Sequence, residues 1–343
     1  MNRKPTWLAK IGARYSVLIA AGVTVVLYAL LTALSPIYST PFMLNSFIVL
    51  SCPLALAAVG TTLVLVIGGF DLSVAGTISF SNVIAATVMG THPDALWAIA
   101  GLVLLAGLVT GVINGVLIAL LHLPSLGVTL ATNIMLAGVA LIILRAPGGS
   151  VPLAFSRTLT GTVGQVPVAL VVLAAVAVLW VVFSKTRTGM SAFAIGGNAD
   201  AARLSGIPLA RVQITVYGLA GVAYAAGGLY LSALTATGSP TSGSPFMLTA
   251  FAAAALGLVS FRGGSGSAIA AMFGAATLTL IPKFLFAGGI SDFWVGIFQG
   301  LVILVALSVP LVASRVGAVR RLRAAGRTVP AERLSDSEQE VLA

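Results

Sequence analysis

The sequence predicts an all-α polytopic membrane protein with about ten transmembrane helices, and three observations predict it. Hydrophobic residues make up 59% of the chain and charged residues 8%, where a soluble domain carries about 25% charge. The apolar residues fall in runs of roughly 20, each long enough to cross the hydrocarbon core as a helix. Counting ten crossings from a cytoplasmic N-terminus puts 15 of the 18 lysines and arginines on the inner side, the bias that orients membrane proteins. Both termini are therefore expected in the cytoplasm. The net charge of +10 follows from the same bias and makes no case for nucleic acid.

The elements follow in order. A basic segment, 1–14, precedes the first span, 15–34, which is long for a signal sequence and lacks a small-x-small cleavage site, so it reads as retained. Spans are expected at 44–67, 72–89, 96–121, 124–144, 166–183, 212–234, 247–260, 267–287 and 293–314, the second long and the eighth short. Residues 15–314 thus form one transmembrane domain. The tail, 315–343, opens with arginines that anchor to headgroups and ends in the acidic PAERLSDSEQEVLA, expected to be solvated and mobile. The 38 glycines suit close helix packing through small faces such as Gly101, Gly107 and Gly111. The single Cys52 excludes an internal disulfide and reads as a packing residue.

One polar interruption, 184–211, is far longer than a chain reversal requires. Inside it Asn198 suits a helix N-cap, Asp200 the first turn where the dipole favours a carboxylate, and Gly206 the residue after the C-cap. A helix of about two turns on a membrane face makes a docking knob, with Arg203 and Leu204 as its contact residues.

Two breaks between spans share a glycine pair: Gly68-Gly69-Phe70-Asp71-Leu72-Ser73 and Phe261-Arg262-Gly263-Gly264-Ser265-Gly266-Ser267. Overlaying the pairs shifts the chain by 195 positions and carries the first span onto the seventh, which suggests duplicated halves. Asp71 is expected to cap a helix starting at Leu72, making a capped hinge.

Several chemistries have no residues to carry them. The four lysines follow Arg3, Ala9, Ser184 and Pro282, so no Gly-Lys exists on which to build a phosphate-binding P-loop. His92 and His122 lie in separate loops without cysteine or acidic partners, so neither a metal nor another cofactor is expected. Asp71, Asp94, Asp200 and Asp292 map to span ends or loops, leaving no intramembrane carboxylate of the kind an ion-coupled carrier uses. Lys283 is the one charge inside a span, expected to snorkel outward. The spans carry neutral polarity instead: Asn45 on the second, Ser79 and Asn82 on the third, Thr129, Thr132 and Asn133 on the fifth. The spacings of three and four put each set on one helix face, a lining for a neutral hydroxylated solute or a set of interhelical hydrogen bonds.

These residues resemble a known family. Gly68-Gly69-Phe70-Asp71-Leu72-Ser73-Val74 is similar to the GG-x-DLSV signature of the permease subunits of bacterial sugar ABC importers, and 194–198 with 201–207 resembles their cytoplasmic loop. Leu123-Pro124-Ser125 with Val128-Thr129-Leu130, and Gly263-Gly264-Ser265-Gly266-Ser267, are similar to further landmarks, so the likeness spans roughly 15–314 in order. Two features depart from the family: 247–253 carries no acid where the family usually has one, and Ala137-Gly138 stands in place of Arg-Gly. The resemblance implies a permease in the bacterial inner membrane paired with a second permease subunit. It also implies two ATPase subunits docked on Asn198, Asp200, Arg203, Leu204 and Gly206, and a periplasmic solute-binding protein that delivers sugar. The alternatives are a permease for branched-chain amino acids or nucleosides, an ion-coupled carrier, and a membrane enzyme; the last has no catalytic constellation to support it.

Overall fold

The structure, a computed structural model, describes residues 6–302 with 304, 305 and 308. Twelve helices account for nearly all of it: α1 (Thr6–Leu34), α2 (Pro41–Val66), α3 (Val74–Thr91), α4 (Leu96–Leu120), α5 (Ser125–Ile143), α6 (Leu153–Thr160), α7 (Val168–Lys185), α8 (Arg187–Gly197), α9 (Ala199–Leu204), α10 (Leu209–Thr235), α11 (Phe246–Leu256) and α12 (Ala268–Ala287). Eight of these are long and apolar enough to cross a membrane among the described residues. They match the first seven expected spans and the ninth. The expected eighth is α11, whose 11 residues extend about 17 Å at 1.5 Å per residue, roughly half a bilayer core. The expected tenth begins in helical residues 295–302 and otherwise falls outside the described residues, as does the tail.

Three differences at boundaries have local causes. α1 begins at Thr6, so residues 6–14, expected as a separate segment, continue the helix of the first span. The polar loop holds a second helix, α8, because Thr186 supplies an N-cap, its Oγ1 accepting from Gly189 N at 3.0 Å. The connection between the fifth and sixth expected spans, 145–165, carries α6 and most of a hairpin, β1 (Thr162–Val163) with β2 (Val166–Pro167), turned at Gly164 with φ +63°, and the hairpin takes the first two residues expected in the sixth span.

An inner group of α2, α3 and α10 is enclosed by the rest. α2 is buried over 83% of its most apolar stretch, whereas α1, α5 and α7 are buried over 17, 22 and 11%, leaving apolar faces for lipid or another chain. Small residues set the closest approaches. Gly107 and Gly111 on α4 lie against Gly221 and Tyr217 on α10 so closely that a Cβ at either would strike backbone, while Gly101 has open space in that direction and takes no part. Cys52 is fully buried as a packing residue. Lys283 leans to the turn after α1, its Nζ 5.9 Å from the centre of the Tyr38 ring.

Candidate functional site

The expected loop helix forms as α9. Asn198 Oδ1 accepts from Ala201 N at 2.9 Å, and Asp200 lies in the first turn. At the other end Gly206, with φ +77°, donates to Arg203 O at 3.0 Å, and Ile207 N reaches back to Ala202 O at 3.1 Å, the paired bonds of a Schellman cap. Ala202 is the buried anchor; Arg203 is exposed and Leu204 is 90% exposed. A leucine is thus presented almost bare beside a guanidinium, on a short helix capped at both ends.

The two glycine-pair breaks, 195 positions apart, meet in space at the root of that loop. α2 ends in a Schellman cap, with Gly68 N to Leu65 O at 2.9 Å and Gly69 N to Val64 O at 3.1 Å; Gly68 sits at φ +79°. α11 ends likewise: Leu258, at φ +57°, donates to Ala255 O at 2.9 Å, and Val259 N reaches Ala254 O at 3.0 Å. Between the breaks lies a third glycine pair, Gly196-Gly197 at the end of α8. A Cβ on Gly196 would strike Val66 O and Gly264 N, and one on Gly263 would strike Gly196 and Gly68 N. Gly264 N donates to Val66 O at 2.9 Å, tying the second break to the end of α2. Bare backbone thus joins the surface loop to both breaks, with no side chain between them to absorb a displacement.

The breaks lie five residues out of step with a strict duplication. Glycine pairs align at a shift of 195, but the αL residues that end the helices, Gly68 and Leu258, align at 190, because the second break is longer.

The first break is held by side chains. α3 starts at Val74, not Leu72, since Asp71 turns the chain first: its Oδ1 accepts from Ser73 N at 2.9 Å and from Ser73 Oγ at 2.5 Å. Asp71 is 1% exposed and its Oδ2 has no hydrogen-bond partner among the described residues. Sequence position alone put this carboxylate at a span end, and the fold buries it. α5 supplies acceptors at every fourth residue for the free N–H groups of this segment. Ser125 Oγ takes Phe70 N at 3.4 Å, Thr129 Oγ1 takes Leu72 N at 3.0 Å, and Asn133 Oδ1 takes Gly76 N at 2.6 Å. Thr132 donates to Asn114 Oδ1 at 2.6 Å, and Asn114 Nδ2 donates to Ser73 Oγ at 3.2 Å, so a buried chain of hydrogen bonds runs from α5 through α4 to Asp71.

In the middle of α3 the polar residues hold the segment after α10. Asn82 donates to Ser232 Oγ at 2.8 Å and Thr237 O at 3.2 Å and accepts from Ser239 N at 2.7 Å and Ser242 Oγ at 3.1 Å, while Ser79 Oγ accepts from Gly243 N at 2.9 Å. Asn45 Oδ1, on α2, is buried without a hydrogen-bond partner among the described residues. Of the six candidate path residues, five are therefore engaged within the chain.

Sequence reasoning named Gly68, Gly69, Asp71, Ser73, Gly263 and Gly264 as break residues, and the structure brings the two pairs together. It missed Gly196, although a third Gly-Gly beside the loop helix was the available signal. It gave Asn114 and Ser125 no part in the break, although the spacing Ser125, Thr129, Asn133 repeats every four residues and could have marked the ladder.

A family model described as "Branched-chain amino acid transport system / permease component" matches residues 43–307. Among similar proteins, the ribose import permease protein of Escherichia coli (strain K12) is 31% identical over 83% of this chain and 90% of its own. The galactose/methyl galactoside import permease protein of Salmonella typhimurium is 32% identical over 90% of this chain and 96% of its own. A probable ABC transporter permease protein of Sinorhizobium fredii is 34% identical over 78% and 81%. No solved structure matches the chain.

Proposed function

The chain belongs to the branched-chain amino acid transport system / permease component family, and from that premise we propose that it is the permease subunit of an ABC importer that moves a neutral sugar or sugar-like solute into the cytoplasm. It is a multi-pass membrane protein whose relatives are transport permeases. The observation that carries the mechanism is the backbone junction of Gly196 with Val66, Gly263 and Gly264.

In this reading separate ATPase subunits grip α9 through Arg203 and Leu204, with Asn198, Asp200 and Gly206 keeping the helix rigid. Their closure moves α8 and α9 as a unit. Because Gly196 bears on both breaks without an intervening side chain, the displacement passes to α2 with α3 and to α11 with α12 together, and bistable packing turns a small shift into a change of access. Ser79, Asn82, Thr129, Thr132 and Asn133 exchange their bonds within the chain for the hydroxyls of the solute as the breaks pivot, and Asn45 offers its unengaged Oδ1 directly. A second permease subunit completes the path along the exposed faces, and a binding protein outside delivers the solute. With both termini and the loop in the cytoplasm, the positive-inside bias is satisfied.

A neutral solute is favoured over a zwitterion by the interior itself. The buried polar groups of the described residues are hydroxyls, amides and one carboxylate, Asp71, already engaged by Ser73. An amino acid would need opposed charges there, and an importer of sugars needs only neutral donors and acceptors.

The test reconstitutes the chain in liposomes with its ATPase and binding protein. Arg203→Glu should remove solute-stimulated ATP hydrolysis and uptake while the chain still inserts in the membrane. Normal uptake by that variant would remove α9 as the coupling element, and uptake driven by a proton gradient in the chain alone would remove the ABC reading.

A further inference from the structure

A groove of about 710 Å³ opens between α8 and the start of α10, lined among others by Arg187, Thr188, Ser191, Ile207, Arg211 and Val212. We propose that it binds the phosphate of an anionic membrane lipid. Charge, depth and the mixture of lining groups point to it, whichever solute is carried and whether or not an ATPase docks.

Depth comes first. α7 ends at Lys185 and α10 starts at Leu209, so the groove lies where two spans leave the apolar layer, at the level of headgroups. α7 is buried over only 11% of its most apolar stretch, which leaves the flank beside the groove open to lipid. Basic pockets between spans at this depth are suited to acidic headgroups.

Charge comes second. Arg187 and Arg211 reach the groove from opposite walls, both exposed, and neither has a carboxylate partner among the described residues. Arg187 is the first residue of α8 and Arg211 lies in the first turn of α10, whose N-cap, Pro208, offers no side-chain acceptor. The positive ends of two helices therefore add to two guanidiniums, and paired guanidiniums match a phosphodiester in two-pronged geometry. The hydroxyls of Thr188 and Ser191 line the same wall.

The lining also has an apolar half. Ile207, Val212 and Met190, the last 56% exposed, would be wasted on a free anion, but they suit the glycerol and first methylenes of a lipid whose phosphate sits between the arginines. The volume likewise exceeds what one phosphate fills.

The experiment places the full chain in nanodiscs of phosphatidylglycerol mixed with phosphatidylcholine and counts lipids retained after release, by native mass spectrometry. The wild type should keep phosphatidylglycerol preferentially. In Arg187→Gln/Arg211→Gln that preference should fall roughly tenfold or more, and it should fall comparably in Thr188→Glu, which keeps both arginines and puts a carboxylate in the groove. Arg187→Lys/Arg211→Lys, which keeps the charge but not the two-pronged geometry, should retain a preference between those of the wild type and the double Gln substitution. Size-exclusion profiles identify variants that fail to fold, and Thr188→Glu, a single substitution beside intact arginines, then decides. Unchanged preference in a folded variant overturns the proposal. So does displacement of the lipid from the wild type by millimolar inorganic phosphate, which would make this a free-anion site, or by the assembled ATPase, which would assign the groove to a protein carboxylate.

Discussion

The two breaks that meet under the loop are held together in opposite ways. The first, after α2, is pinned by side chains: Ser125, Thr129 and Asn133 take its N–H groups, and Asp71, Ser73 and Asn114 form a buried chain beneath it. The second, after α11, is held mainly by backbone, with Ser260 N to Ser265 O at 3.1 Å, Gly263 N to Ser260 O at 3.2 Å and Gly264 N to Val66 O at 2.9 Å, and its side chains add only Arg262 N to Ser260 Oγ at 3.3 Å and the Phe261 ring against Phe70 and Phe251. Gly263, Gly264 and Gly266 take φ +82°, +74° and +150°, which other residues adopt only under strain. Side-chain bonds carry direction and resist shear, whereas a glycine loop resists only collision. The first break is thus the fixed member and the second the compliant one, and the loop bears on both.

Substituting at the shared junction should have the largest effect. Gly196→Val should abolish coupled uptake, because its side chain would meet backbone of both breaks, while Gly197→Ala, which faces open space, should leave uptake near the wild-type level. Equal uptake by the two variants, measured in reconstituted liposomes, would dissolve the comparison by showing that the junction is not stressed.

Next comes the pinned break. Asp71→Ala strands the Ser73 N–H and Oγ in a buried setting, at a cost of about 1–3 kcal/mol, so the detergent-solubilised protein should unfold at a clearly lower temperature. Asp71→Asn keeps an acceptor at Oδ1 and should recover most of that loss. If Asn proves as damaging as Ala, the carboxylate charge matters in its own right and the capping account is too simple.

A smaller effect is expected from removing one rung of the ladder. Thr129→Ala frees Leu72 N–H at a cost of about 1 kcal/mol, the value of a typical cap, and should lower thermal stability slightly and weaken uptake, since Thr129 is also a path residue. Ser265→Ala, on the compliant side, removes only a hydroxyl, since Ser265 contributes its carbonyl to Ser260; it should change neither. A larger loss from Ser265→Ala than from Thr129→Ala would reverse the assignment of fixed and compliant members.

The ends of helices were legible where the cause is local. Asn198 and Gly206 mark α9 because a cap needs only an acceptor before the first turn and a residue that tolerates positive φ after the last. Gly107 and Gly111 read as packing glycines, yet so did Gly101, which packs against nothing: a small residue announces that approach is permitted, not that a neighbour arrives. The polar faces of α3 and α5 were visible as spacing, but whether such a face turns to a solute or to the chain's own amides depends on what lies opposite. For Thr129 it is Leu72 N–H, and for Asn82 the segment 237–242.

By itself the sequence determined that the chain crosses the membrane many times, in which order its spans run, and where its loop helix begins and ends. Apolar length, basic residues and capping residues act within a few positions of themselves, so one strand of text contains them. Only the tertiary structure decided that three glycine pairs, at 68, 196 and 263, come to one point, that Asp71 is buried, and that α5 caps the start of α3. Those outcomes depend on which groups meet after the helices pack. In lipid, where backbone N–H groups must find partners inside the protein, the meeting of distant segments fixes what each residue does.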